Sequence, residues 1–209
     1  LIDYAERKSE GYQYILLVQD TFSKKVWGVA TKDKKAATVL GAFEHIVRSA
    51  GKPRELDTDQ GPEFEYEFDD YLEEENIIHT VADKRNKNAR GSLDYAIGAF
   101  RPTLARLQMA TKKKWHQVVA DAVHAINETV HKGLISRTPA SVAKDKDAQF
   151  LLRERAANDL QTNEKQIEKR GAKLERQGAF REELPPKEDM GKERSFLPRY
   201  GDQVHRVDK

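Results

Sequence analysis

Arg54-Glu55-Leu56-Asp57-Thr58-Asp59-Gln60-Gly61-Pro62-Glu63-Phe64 changes character within a few residues. Arg54 to Asp59 reads as a short strand, Gln60-Gly61-Pro62 stops it with a turn, and Phe64 to Glu75 continues as an acidic helix. Asn76 to Val81 is then the next strand candidate. Asp59 therefore stands where a strand opens into a Gly-Pro turn, the edge of a sheet at which α/β sites gather.

Upstream of this stretch, Tyr12 to Gln19 is β-rich and nearly all apolar, and Val26 to Thr31 is a further β-rich run, with Phe22-Ser23-Lys24-Lys25 as the hairpin connection. Leu1-Ile2-Asp3-Tyr4 reads as the end of another strand. Val39, Leu40, Phe43, Ile46 and Val47 recur at helical spacing, and Gly51-Lys52-Pro53 supplies the stop. Downstream, Leu93, Ile97, Phe100, Leu104 and Leu107 form one helical stripe, and Trp115, Val118, Val119, Ala122, Val123, Ile126 and Val130 another. The order βββαβαβαα is a mixed α/β pattern that suits a five-stranded sheet with helices on its faces.

The composition changes after Thr138-Pro139. We expect a core over 1–143, a charged helical extension over 144–180, a linker rich in Pro, Glu and Lys over 181–194, and over 195–209 the truncated start of a small β-domain. Leu160, Ile167 and Leu174 are seven apart in the extension, but polar residues fill most positions between them, so an extended, weakly packed helix fits better than a full coiled coil.

The 209 residues, 38% hydrophobic and 34% charged, leave room for one core plus appended elements. No stretch approaches the ~18 apolar residues of a membrane span, and the first residues lack the order of a signal peptide, so a soluble intracellular protein is expected. The sequence has no cysteine, which excludes disulfides and thiolate zinc sites. A net charge of +2 says little alone, but its distribution says more. Gln60 to Ile78 holds eight acidic residues and no basic one, whereas Ala82 to Lys114 holds nine Lys or Arg against Asp83 and Asp94. This points either to a basic face beside an acidic one or to two solvated helix surfaces.

Asp3, Asp59 and Asp94 are the candidate functional carboxylates. Asp3 follows Leu1-Ile2 in an apolar strand, where a buried carboxylate is costly without a cation or hydrogen bonds. Asp94 lies beside the apolar stripe of its helix and so can face the sheet edge. Three converging carboxylates repel unless cations sit between them, and hard oxygen donors without thiols favour two Mg²⁺ or Mn²⁺ ions. Two such ions about 4 Å apart suit in-line phosphodiester displacement. Taken singly, each aspartate also reads as a cap, turn or surface residue.

Leu1 to Pro139 resembles the catalytic core of retroviral and long-terminal-repeat retrotransposon integrases, a branch of the RNase H-like superfamily. The strings that carry the resemblance are Tyr14-Ile15-Leu16-Leu17-Val18-Gln19-Asp20-Thr21-Phe22-Ser23-Lys24 and Asp57-Thr58-Asp59-Gln60-Gly61-Pro62-Glu63-Phe64. The latter string is similar to the family's T-D-x-G-x-x-F signature, which implies that Asp59 is the middle catalytic acid of three. Asp3 matches the first acid on strand one, and Asp94, 35 positions after Asp59, the third. His131 with Thr138-Pro139 resembles the end of such cores, and Phe196-Leu197-Pro198-Arg199-Tyr200-Gly201-Asp202 the start of the family's C-terminal DNA-binding barrel.

The resemblance implies an RNase H-like fold, magnesium-dependent 3′-end processing and strand transfer, retroelement ends and target DNA as partners, a homo-oligomer, no membrane, and work in the nucleus with a cytoplasmic stage inside a polyprotein. It also implies that the basic run Lys84, Arg85, Lys87 and Arg90, where integrases carry an active-site loop, and Arg101 contact DNA phosphates. The sequence departs from the family at Asp94, where Glu is usual, and at Ile97 and Gly98, where polar or basic residues are usual. A degenerate or co-opted integrase domain that binds nucleic acid or a partner without catalysis is the alternative. A nuclease or DNA transposase of the same superfamily is a third.

Asp20 is read as a structural residue near a turn, His79 as a half-buried residue rather than a base or ligand, Lys112-Lys113-Lys114 as a helix C-terminal cap, and Trp27 and Trp115 as core.

Overall fold

Every residue from Ile15 to Val18 is apolar because the strand that holds them is covered on both faces. The computed structural model describes residues 1–81, 91–177, 179–183 and 200–206. In it, β1 (Ile2–Asp3), β2 (Tyr14–Gln19) and β3 (Val26–Thr31) form an antiparallel sheet in the order β1-β2-β3. Ile2 pairs with Ile15, and Tyr14 through Gln19 pair with Thr31 back to Val26.

Alternate side chains of β2 go to opposite faces. Ile15 and Leu17 join Ile2, Phe100, Leu104 and Trp115 in one buried cluster, while Leu16 joins Val39, Phe43, Ile46, Phe68 and Leu72 in a second. The second cluster is built on α1 (Ala36–Ala50) and α2 (Glu67–Glu74), the first on α3 (Gly91–Thr111) and α4 (Val119–Asn127). In α1 the buried residues are Val39, Ala42, Phe43 and Ile46, one stripe at helical spacing. The helix stops at Gly51, whose φ of 90° suits a residue without Cβ.

Two features seat α4 on the sheet. A Cβ at Gly28 would stand 2.9 Å from Val123 Cγ2 and 3.3 Å from Leu17 Cδ1, so only glycine lets β3 and α4 approach this closely. Buried Asn127, at the end of α4, accepts the Val26 N–H through Oδ1 and donates Nδ2–H to the Val26 carbonyl, both at 2.9 Å. Its side-chain amide thus supplies the pairing that a further strand would give the edge of β3.

The other sheet is parallel and has two strands, β4 (Glu55–Thr58) and β5 (Ile78–Val81), with Leu56 opposite His79 and Thr58 opposite Val81. The expected element order is present, and among the described residues these five strands pair as three plus two. Both residues of β1 pair with β2. Leu1 and Leu56 pack on the same cluster, so the two sheets share a core while forming separate ladders among the described residues.

The chain divides into two compact units, Leu1–Gln149 and Phe150–Lys209. α5 (Pro139–Val142) begins at Thr138, whose Oγ1 accepts the Ser141 N–H at 3.1 Å. α6 (Lys146–Gln177) is 32 residues long, and every residue from Arg153 to Arg170 is exposed, as an extended, weakly packed helix requires. β6 (Ala179–Glu183) pairs antiparallel with β7 (Tyr200–Arg206). The expected linker therefore starts as strand at Arg181 to Glu183, because its partner lies about twenty residues on, where local composition cannot show it. The remaining linker residues, 184–194, lie outside the described residues. No described helix is long and apolar enough to cross a membrane.

Replacing Asn127 with Ala orphans both polar groups of Val26. Urea denaturation should show a loss of about 1–3 kcal/mol with an unchanged slope.

Candidate active site

β4 ends at Thr58 and the chain turns at once, the Gly61 N–H donating to the Asp59 carbonyl at 2.9 Å and the Phe64 N–H to the Gly61 carbonyl at 3.0 Å. Phe64 is buried and meets Phe68 edge-on at 5.3 Å, which fastens the turn to the second core cluster. Asp59 is consequently held half-buried at the strand end.

Asp3 closes β1 opposite Tyr14. The sequence suggested a carboxylate at risk of burial, but the structure places Asp3 exposed while Ile2 takes the buried position. The reason is the strand's alternation: with Ile2 turned into the core, Asp3 points the other way. Asp3 Oδ1 accepts the Ala5 N–H at 2.7 Å.

Asp94 is exposed in the first turn of α3, where a negative charge complements the helix dipole. Two residues earlier, Ser92 Oγ donates to Gln19 Oε1 at 2.9 Å and ties the start of α3 to the end of β2. Next to Asp94, Tyr95 is 63% exposed and meets His131 edge-on at 5.3 Å. Burial, then the Lys24 charge, holds the His131 pKa below its usual value, and His131 Nδ1 accepts the Gly133 N–H at 3.0 Å. Arg101, further along α3, is exposed, and its charge reaches Tyr4 beside Asp3. Burial raises the Tyr4 pKa, while Arg101 and Arg7 oppose that rise.

The three acids thus sit on β1, at the end of β4 and in the first turn of α3. As a donor set they fit a hard divalent cation, being carboxylates without a thiolate among them. Among the described residues, however, no three His, Cys, Asp or Glu side chains are gathered closely enough to hold one metal ion. The basic run Lys84, Arg85, Lys87 and Arg90 lies outside the described residues.

The other singled-out residues have structural partners. Asp20 Oδ2 accepts the Ser23 N–H at 2.7 Å and the Ser23 Oγ–H at 2.5 Å, closing the β2–β3 turn. Lys114, beyond the end of α3, pairs with Glu10. Trp115 is buried, donates Nε1–H to the Arg7 carbonyl at 2.7 Å and stacks on Tyr4 at 5.0 Å, whereas Trp27 is only half-buried with Lys25 over its ring. His79 has both ring nitrogens engaged: Nε2 is 2.8 Å from Thr58 Oγ1 and Nδ1 is 2.5 Å from Asp69 Oδ1. Both nitrogens are thus committed to protein partners. Sequence reading missed this Thr58–His79–Asp69 chain. The only trace of it was a Thr beside the motif aspartate and a His on the strand that follows.

Residues 2–87 match the family model described as Integrase core domain. The Pro-Pol polyprotein of feline foamy virus is 25% identical over 122 residues, which is 58% of this chain and 10% of the polyprotein. This chain thus spans about a tenth of that relative's length. Among solved structures, the HTLV-2 integrase catalytic core domain in complex with magnesium, in a trimeric form, superposes with a TM-score of 0.56 at 22% identity, covering 65% of this chain and 88% of that one. The simian T-cell lymphotropic virus intasome in complex with PP2A regulatory subunit B56 gamma gives 0.58 at 20% identity, covering 64% and 49%. At these identities the structural matches show the fold.

If the Ser92–Gln19 bond holds the first turn of α3, Ser92→Ala should speed amide exchange at Tyr95 to Gly98, whose N–H groups bond back to that turn, by roughly fivefold, the equivalent of one ~1 kcal/mol hydrogen bond, with little change at β2. Hydrogen-exchange mass spectrometry reads this directly.

Proposed function

We propose, from the premise that residues 2–87 match the integrase core domain, that the chain is the catalytic core of a retroelement integrase, a polynucleotidyl transferase that processes DNA 3′ ends and joins them to target DNA. The observation that carries the reading is the placement of Asp3, Asp59 and Asp94 on β1, the end of β4 and the first turn of α3 of that core. Asp3, Asp59 and Asp94 would hold two Mg²⁺ or Mn²⁺ ions. When bound, such ions supply Lewis-acid stabilisation of the attacking and leaving oxygens.

The chain's own residues do the rest. Arg101 and the run Lys84, Arg85, Lys87 and Arg90 would contact phosphates and set the register of the DNA without reading its sequence. Buried Thr58 and the Phe64 anchor keep Asp59 from drifting with its loop. No covalent protein intermediate is needed.

The finer expectations belong to the same proposal: a continuous five-stranded RNase H-like sheet once β1 and β4 align, two or more copies assembling on retroelement ends and target DNA, a C-terminal DNA-binding barrel that starts within 195–209, and action in the nucleus after a cytoplasmic stage. An alternative reading, a co-opted integrase fold that binds nucleic acid or a partner without chemistry, is favoured by the short third acid Asp94, whose carboxylate reaches one methylene less far than Glu.

A Mn²⁺-dependent disintegration assay on branched DNA separates the two. The catalytic reading expects turnover that falls at least a hundredfold in Asp3→Asn, Asp59→Asn and Asp94→Asn. It also expects a Mn²⁺-linked rise in melting temperature that Asp59→Asn removes. A folded, DNA-binding protein with neither turnover nor a metal-linked rise establishes the alternative.

A further inference from the structure

We propose that His79 is a positioning residue that fixes Asp59 through the hydroxyl of Thr58, so that the metal affinity of the site depends on a histidine that never touches the metal. The inference rests on the catalytic reading above and deepens it.

His79 sits on β5 opposite Leu56 of the parallel strand β4. Its side chain is 14% exposed, and its two nitrogens face two different elements. Nδ1 lies 2.5 Å from Asp69 Oδ1 on α2. A carboxylate can only accept there, so Nδ1 carries the proton. In the neutral ring this leaves Nε2 as an acceptor, and the Thr58 Oγ1–H donates to it across 2.8 Å. Asp69 thus selects the tautomer, and the tautomer orients Thr58.

Thr58 is the last residue of β4, is 8% exposed, and immediately precedes Asp59. Beyond it the backbone leaves the sheet through the Asp59–Gly61 turn, so the ladder with β5 no longer restrains the chain. Together with the Thr58–Val81 pairing, the Thr58–His79 bond holds the strand residue that directly precedes the acid. Loss of the His79 bond loosens Thr58 within its pairing, and the backbone that carries Asp59, one residue on, shifts with it. Octahedral coordination of a small divalent ion tolerates little of that motion. Partners that orient ligands from outside a metal site typically contribute 10–100-fold in affinity.

Mn²⁺ binding by the full chain, read by titration calorimetry, tests this. Thr58→Val removes the hydroxyl at nearly constant shape, and His79→Ala removes the ring. Each is expected to weaken Mn²⁺ binding by about tenfold or more, and the double variant no further, because both break one link. His79→Gln puts an amide near the Nε2 position and restores affinity, whereas His79→Asn, which reaches Asp69 but not Thr58, does not. A merely structural clamp between β5 and α2 would instead be rescued by His79→Asn, and its loss would lower the melting temperature without changing metal affinity. Wild-type affinity in folded Thr58→Val and His79→Ala overturns this proposal alone. Absence of Mn²⁺ binding by the unaltered chain overturns both it and the catalytic reading.

Discussion

The burial of β2 on both faces is the constraint on which the rest of the first unit depends. One six-residue strand feeds two separate apolar clusters, Ile15 and Leu17 on one side and Leu16 on the other. Each fully buried aliphatic side chain contributes about 1.5–3 kcal/mol relative to exposure, so this strand alone holds a large share of the driving force for both layers. It also fixes register, since a slip of one residue would exchange the two sets of side chains between helices shaped for the other. The elements that carry the candidate acids are referred to this strand. β1 pairs with it, α3 is hydrogen-bonded to its end through Gln19, and α1 and α2 rest on its opposite face.

The same constraint explains why the candidate site residues stand at ends and edges. Inside the two-faced sheet there is no place for a carboxylate, because both sides are closed by apolar helices. Asp3, Asp59 and Asp94 each occupy the first position at which an element leaves that enclosure: the last residue of a two-residue strand, the residue after β4, and the first turn of α3. The core thus confines polar chemistry to its margin, and it leaves the margin's precision to local hydrogen bonds. Those bonds are Ser92 to Gln19 for α3 and the Thr58–His79–Asp69 chain for β4.

What the sequence revealed follows from the range of the interactions involved. The apolar run Ile15 to Val18, the helical stripe of α1 and the Gly61-Pro62 break are local signals, and the elements they mark are present in the expected order. The candidate acids were picked out by the short motif around Asp59 and by the family resemblance that matches Asp3 and Asp94. Non-local pairings were not legible. Nothing near Asn127 says that its amide completes the edge of a strand 101 residues earlier. Nothing near Glu183 says that it has a strand partner at Tyr200. The pairing of the strands was not legible for a related reason: five strand-like runs do not show which edges meet, and the structure pairs them as three plus two.

His79 shows how far a residue's type can mislead when its partners are unknown. A histidine next to a carboxylate and a hydroxyl has the composition of a catalytic triad, yet the order of contacts assigns it a different task. The hydroxyl that would act as nucleophile belongs to Thr58, which is buried, and the exposed member of the chain is the carboxylate of Asp69, at 51%. The solvent-facing end is therefore the one that orients, and the shielded end lies beside the metal-site candidate Asp59. A relay arranged in that direction cannot deliver a nucleophile to a substrate. What it can do is carry the rigidity of α2, anchored by Phe68 and Leu72 in the second cluster, to the point where β4 stops being a strand. The acidic helix that charge counting left as either an acidic face or a solvated surface thus has one member, Asp69, that braces the candidate site from behind.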